Sequence, residues 1–235
     1  MRRIGIIGGL GPEATIDYYR IIINEYREKT NGNYPEVIIY SLNMSEFACK
    51  MTAESFDKTV RWLAQAIKAV HQCGADFALI ASNTPHIVFE DLQNLSPIPL
   101  ISIVEETCKV ASRANLKKIA LLGTKVTMDS DFYQRVSAKK SIEIITPHET
   151  EKEYINEKLL SEIIHNRIID KTKKQLLRII ERMIDEEQIQ GVILGCTELP
   201  LILTKDEFGI PFLNTTQIHA KSAVRYSLEE HADFE

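Results

Sequence analysis

Short apolar runs alternate along the chain with longer stretches in which apolar residues recur every three or four positions. Ile4 to Gly8 is a continuous run with further glycine behind it, which predicts a buried strand. Gly11-Pro12 opens a helix, proline being at home in a first helical turn. Tyr18, Ile21, Ile22 and Tyr26 carry the apolar face of that helix to about Thr30. Val37 to Tyr40 predicts a second strand. Phe56, Val60, Leu63, Ile67 and Val70 step by four, three, four and three, the spacing of an amphipathic helix, and Gly74 supplies its end. Phe77 to Ala81 and Leu100 to Ile103 read as a third and a fourth strand.

The second half follows the same order. Ile119 to Leu122 and Ile142 to Ile145 predict strands. Leu177, Ile180 and Ile184 mark a helix ahead of a strand at Val192 to Leu194, and a short strand at Leu213 follows Pro211. Between them Glu149 to Glu187 is charged and helical in pattern, with no glycine or proline inside it.

The two halves are related residue by residue. Arg3-Ile4-Gly5-Ile6-Ile7-Gly8-Gly9 aligns with Lys118-Ile119-Ala120-Leu121-Leu122-Gly123-Thr124 at an offset of 115. Ala78-Leu79-Ile80-Ala81-Ser82-Asn83-Thr84 aligns with Val192-Ile193-Leu194-Gly195-Cys196-Thr197-Glu198 at 114, and Ile98-Pro99-Leu100-Ile101 with Ile210-Pro211-Phe212-Leu213 at 112. Strands separated by helices predict parallel sheets covered on both faces, with sites beyond the carboxyl ends of the strands. The fold expected is α/β: two pseudo-symmetric parallel-sheet α/β domains with the active site in the interdomain cleft. Residues 1–97 with 213–235 form the first domain and 98–212 the second, the crossover falling at Ile98-Pro99.

Composition narrows the partners. At 235 residues, 44% hydrophobic and 26% charged, the chain is ordinary for a soluble globular protein. A net charge of −5 argues against nucleic acid, which needs a basic face. No apolar run approaches a membrane span and no leader pattern is present, so a cytoplasmic protein without membrane partners is expected. Cys49, Cys73, Cys108 and Cys196 are widely spaced with no C-x-x-C, which argues against a metal site.

Several motifs carry possible chemistry. Gly9-Leu10-Gly11-Pro12-Glu13-Ala14 matches a dinucleotide fingerprint variant, but the second strand ends Ile39-Tyr40-Ser41 without the acid that would bind ribose. A glycine-rich turn whose N–H groups meet a small carboxylate is the better reading of Gly11. Cys196 ends a strand beside Gly195, and an adjoining helix N-terminus would lower its pKa. Cys49, Cys73 and Cys108 read as buried structural thiols, the last two within helices. Ser82, Asn83 and Thr84 end the matching strand, where they can cap the next helix or donate to a substrate carboxylate. His86 and His219 could orient a catalytic group, but read better as satisfying a local hydrogen bond. Thr124 and Thr127 stand where a carboxylate donor would be useful, and Lys171 to Lys174 reads as a solvated helix face.

The opening Ile4-Gly5-Ile6-Ile7-Gly8-Gly9-Leu10-Gly11-Pro12, Ser82-Asn83-Thr84-Pro85-His86, Gly123-Thr124-Lys125-Val126-Thr127-Met128, Gly195-Cys196-Thr197-Glu198-Leu199 and Ile218-His219-Ala220 together resemble the aspartate/glutamate racemase family. The resemblance spans essentially the whole chain. It implies a homodimer of two-domain subunits acting on a small-molecule amino acid or dicarboxylate without pyridoxal phosphate, other cofactor or metal. In the family pattern two cysteines serve the two faces of Cα, one removing and the other returning the proton. Cys196 matches the second; Ser82 replaces the first.

The resemblance therefore implies Cys196 and Ser82 as the catalytic pair. Asn83, Thr84 and Thr197 with neighbouring backbone N–H groups would hold the substrate carboxylate, with Thr127 and Gly11 assisting. A basic group for the side-chain carboxylate is sought among Lys50, Arg167 and Lys171. Two alternatives stay open: a one-cysteine decarboxylase or isomerase of the same superfamily, and a catalytically silent dicarboxylate-binding protein.

Overall fold

The computed structural model describes residues 1–50 and 56–229, side chains at 48–50 excepted. The chain divides into two compact units, Met1–Ile103 with Thr216–Glu235, and Val104–Thr215. In the first, β1 (Ile4–Gly8) leads into α1 (Pro12–Lys29), β2 (Val37–Ser41), α2 (Met44–Lys50), α3 (Phe56–Gln72), β3 (Phe77–Ile80), a 3-10 turn (Thr84–Val88), α4 (Phe89–Leu95) and β4 (Leu100–Ile101). The four strands are parallel in the order β2-β1-β3-β4.

Alternation along the strands decides which helix meets which face. Ile7, Ala78 and Ile80 pack against Leu63, Ile67 and Val70 of α3. Gly5 shares that face, and a Cβ there would stand 3.0 Å from Val70 Cγ2, so its bare backbone is what lets α3 lie close. Each fully buried Ile or Leu in this layer contributes about 1.5–3 kcal/mol.

The second unit holds α5 (Ile103–Arg113), β5 (Lys118–Leu122), α6 (Lys125–Asp129), α7 (Phe132–Ala138), β6 (Glu143–Ile145), α8 (Glu149–Ser161), α9 (Asp170–Glu187), β7 (Val192–Leu194) and β8 (Phe212–Asn214). Its parallel sheet has the order β6-β5-β7-β8, the same connectivity as the first. Ala120, Leu122, Val192 and Leu194 pack under Ile155 and Leu159 of α8 and Leu176, Ile180 and Met183 of α9. The last described helix is α10 (Thr215–Leu228). Ala220, Ala223 and Val224 of this helix join Tyr18, Ile22 and Tyr26 of α1 over the other face of the first sheet, against Ile4, Ile6, Phe77 and Leu79.

Four details differ from the sequence reading. The fourth strand stops at Ile101 because the N–H of Ile103 turns to His86 Nε2 and starts α5. The units exchange chain at Ile103/Val104 rather than Ile98-Pro99, and β8 pairs with β7, so only α10 returns to the first unit. The segment from Glu149 to Glu187 breaks into α8, a 3-10 turn (Ile163–His165) and α9, with Asn166 in the left-handed region at φ 56°. Asparagine enters that region more readily than most residues, so no glycine was needed. Cys73 lies just past α3 and is exposed, not a buried helical thiol; Cys108 is buried in α5.

Candidate active site

In the second unit the turn after β7 carries Cys196. Gly195 makes the turn possible: a Cβ there would fall 2.7 Å from Leu121 Cδ1 and 2.9 Å from the Leu122 carbonyl oxygen. Its N–H donates to that carbonyl at 2.6 Å, which extends the ladder by one bond and delivers Cys196 just beyond the sheet. The Cys196 side chain is largely buried, and Sγ–H donates to Glu198 Oε2 at 3.0 Å. The Thr197 hydroxyl donates to the same oxygen at 2.8 Å.

The electrostatics of this turn run against the sequence expectation of an acidified thiol. Burial pushes the Cys196 pKa well above its ordinary range, and the Glu198 charge and hydrogen bond push the same way. Backbone N–H groups of Glu198 and Thr197 oppose them without prevailing. The following helix is a 3-10 turn of three residues (Leu199–Leu201), too short to supply a helix dipole of consequence. Burial and Glu198 both favour the thiol form, and its proton is directed at Glu198.

The Thr197 and Thr127 hydroxyls both have partners within the unit. The Thr197 hydroxyl proton is directed at Glu198, which leaves the Thr197 backbone N–H as its donor group. Thr127 is fully buried, its hydroxyl 3.1 Å from that of Thr124, while Thr124 caps α6 by accepting the Thr127 N–H. The methyl of Thr127 fills the space left by Gly123 and Gly195, where Cβ atoms would approach it to 3.2 and 3.5 Å. Thr127 thus wedges the two strand-end turns together.

The first unit repeats the wedge. Thr15, which sequence reasoning passed over, accepts the Gly9 N–H at 2.8 Å and donates to the Gly11 carbonyl at 3.2 Å. A Cβ on Gly8 would stand 2.4 Å from Thr15 Cγ2. Gly9 holds φ +81° with the Leu42 carbonyl pressed where a Cβ would be, so the Gly8–Gly11 turn is shaped for glycine and not for a nucleotide alone. A threonine four residues after Gly11 was the signal available in the sequence.

Ser82 and Asn83 follow β3 and are both largely buried; Thr84 is half-buried and begins the 3-10 turn. The Asn83 side chain makes no capping bond to that turn, contrary to the capping role open to it in the sequence. Among the described residues no carboxylate, imidazole or amine hydrogen-bonds the Ser82 hydroxyl.

The rings of His86 and His219 are held by hydrogen bonds at both nitrogens. His86 Nε2 accepts the Ile103 N–H at 3.2 Å, so Nδ1 carries the proton and donates to the Ser82 carbonyl at 3.0 Å. His219 Nε2 donates to the Ile101 carbonyl at 2.9 Å, and its Nδ1 accepts the Tyr18 hydroxyl at 2.9 Å. Burial, with His219 adding to it, lowers the His86 pKa to about 3. Neither ring is placed as a proton acceptor for Ser82.

The basic groups proposed for a substrate side chain stand apart from Cys196 and Ser82 in their bonding. Lys171 lines a 620 Å³ groove between α8 and α9 with Tyr154, Lys174 and Arg178, and Arg167 is exposed beyond Asn166. The side chains of Lys50 and Cys49 lie outside the described residues. Lys125, at the start of α6, pairs with Asp129 at 3.0 Å and with Glu149. His148, Glu186 and Glu187 bring ligand-type atoms within 4.8 Å of one another, but both carboxylates are bonded to Arg182. No helix among the described residues is long and apolar enough to cross a membrane.

With this geometry in hand, the chain can be set beside known proteins. It is 37% identical to an aspartate racemase homologue from Pyrococcus horikoshii whose crystal structure it matches with a TM-score of 0.84, covering 97% of this chain and 100% of that one. It is 27% identical over 226 residues to the broad specificity amino-acid racemase RacX of Bacillus subtilis, covering 94% of this chain and 96% of the relative. Aspartate racemase of Picrophilus torridus, at 21% identity and a TM-score of 0.75 over 96% of this chain and 94% of that one, shares the fold. Residues 7–223 match the family described as Asp/Glu/Hydantoin racemase, and the chain belongs to that family.

Proposed function

We propose that this protein is a cofactor-independent amino-acid racemase, with aspartate or glutamate as the first substrates to test, in which Cys196 exchanges the Cα proton on one face and Ser82 serves the other. The observation that carries the reading is the Cys196–Glu198 couple, a buried thiol hydrogen-bonded to a carboxylate at the end of a parallel strand. Transfer of the thiol proton to Glu198 leaves a thiolate base that can take the Cα proton. In the reverse sense the thiol returns a proton to the carbanion and is reloaded through Glu198. Backbone N–H groups of Thr197 and Glu198 lower the cost of the thiolate when it forms.

Ser82 enters as a proton donor. A serine hydroxyl titrates far above working pH and, among the described residues, no carboxylate, imidazole or amine hydrogen-bonds it, so it is suited to protonating a developing carbanion. Water then reprotonates its oxygen, and in the opposite direction the same oxygen takes the Cα proton as it gives its own to water. Asn83 and Thr84, with the turn at Gly11, are assigned to the substrate carboxylate, where one well-aimed donor is worth about 2.7–4 kcal/mol as charge develops.

Two enantiomers of one amino acid have equal free energies, so kcat/KM must be the same in both directions. The asymmetry of a thiol–hydroxyl pair therefore appears elsewhere. The enantiomer deprotonated by Cys196 can exchange its proton with solvent through Glu198 and be reprotonated on the same face, gaining deuterium without inverting.

The test is incubation of L- and D-aspartate, L- and D-glutamate and a wider panel of amino acids in deuterated water without added cofactor. Deuterium at Cα supports the reading. Its absence across the panel removes it and leaves the dicarboxylate-binding alternative. The one-cysteine decarboxylase alternative gains support from the finding that no base among the described residues hydrogen-bonds the Ser82 hydroxyl, and release of carbon dioxide from a substituted malonate would establish it.

A further inference from the structure

We propose that His86 is a positioning residue that sets the plane of the Ser82–Asn83 peptide and so the direction of the Asn83 backbone N–H. The inference rests on the functional reading above, because the peptide matters only if this strand end meets substrate.

The geometry is specific. His86 lies four residues after Ser82, in the 3-10 turn, and its ring folds back onto the chain it has just left. The Nδ1–H bond takes the Ser82 carbonyl, and the Ile103 N–H bond fixes the opposite edge of the ring. Phe89 stacks on one face at 4.9 Å and 9°, and the His219 ring stands edge-on at 6.2 Å and 75°. Only 3% of His86 is exposed, so the ring has no room to swing. In a trans peptide the C=O and the N–H point in opposite directions. Holding the Ser82 carbonyl towards His86 therefore turns the Asn83 N–H the other way.

The second unit makes the same connection differently. The Cys196 carbonyl accepts the backbone N–H of Leu199 at 3.1 Å. At the offset of 114 that relates Ser82 to Cys196, the position of His86 is taken by Pro200, which has no donor to offer. An imidazole is thus a device of the Ser82 strand end alone. It also needs to be neutral, since it must accept at Nε2 while donating at Nδ1. Burial together with the neighbouring His219 keeps it so.

Three measurements test this. The first uses the unaltered protein: the nitrogen-15 spectrum of labelled histidine should show His86 protonated at Nδ1 and bare at Nε2; the opposite tautomer overturns the proposal. The second compares His86→Phe, which keeps the stack on Phe89 and removes both hydrogen bonds, with His86→Asn, whose amide can donate near the Nδ1 position. In folded protein His86→Phe should lose about tenfold to a hundredfold in kcat, with weaker binding of succinate as a non-reacting dicarboxylate, and His86→Asn should recover part of both. A His86→Phe protein with the kcat and succinate affinity of the wild type, or a His86→Asn protein no better than His86→Phe, overturns the proposal. The third is wild-type Cα exchange itself: if the wild type exchanges and His86→Phe matches it, only the role of His86 fails, whereas a wild type that exchanges nothing removes the functional reading and this inference with it.

Discussion

Ser82 and Cys196 each stand two residues past the last residue of the third strand of their own sheet, Ile80 and Leu194. The bonds that bring them there correspond. Ala81 N–H donates to the Ile7 carbonyl at 2.9 Å, and Gly195 N–H to the Leu122 carbonyl at 2.6 Å. Ala78 and Val192 each take the carbonyl of a proline, Pro99 and Pro211. Equivalent backbones thus present a hydroxyl in one unit and a thiol in the other, and among the described residues only the thiol has a carboxylate hydrogen-bonded to it.

Glu198→Gln removes the charge that raises the Cys196 pKa and the base that accepts its proton. The thiol pKa, followed by thiolate absorbance, should fall. Cα exchange should fall as well, by about a hundredfold, the scale of a lost general base. A variant with unchanged thiol pKa would disconnect Glu198 from the sulfur.

Gly195→Ala forces a methyl into Leu121 and the Leu122 carbonyl. It should cost about 1–3 kcal/mol in urea unfolding and depress exchange by displacing Cys196. Wild-type stability would mean that the turn after β7 yields more easily than its contacts imply.

Thiol labelling should rank the cysteines by environment. Cys73 is exposed and should alkylate first. Cys108 is buried with its pKa raised to about 12, chiefly by burial, and should stay unlabelled until the protein unfolds. Mass spectrometry after timed iodoacetamide treatment reads the order, and early labelling at Cys108 would contradict it.

Acid should act through His86. Its folded pKa of about 3 lies below the usual 6.5, so the unfolded chain binds the extra proton first. The stability this neutral ring contributes is complete above pH 6.5 and is lost as pH falls towards 3, amounting to about 3 kcal/mol by pH 4. Urea unfolding at pH 7, 5.5 and 4 should show the loss, and His86→Asn should flatten it. Parallel pH dependence in the two proteins would place the acid sensitivity elsewhere.

The strands were legible because buried parallel strands leave unbroken apolar runs, and the duplicated blocks align Ser82 with Cys196 in the sequence itself. What escaped were bonds between distant or turning groups. The end of β4 depends on the Ile103 N–H finding His86, 17 residues earlier. The state of Cys196 depends on Glu198 bending back over the sulfur, which adjacency in sequence does not reveal. Thr15 escaped, and so did the packing role of Thr127, because a threonine packed on a glycine leaves no periodic signal.

The most direct measurement compares deuterium gain with inversion for each enantiomer of the best substrate, in wild type and in Cys196→Ser. In the wild type one enantiomer should gain deuterium faster than it inverts and the other should not, and Cys196→Ser should bring both exchange and inversion to background. Exchange that matches inversion for both enantiomers, or that survives the loss of the thiol, would contradict a thiol–carboxylate couple working opposite a hydroxyl.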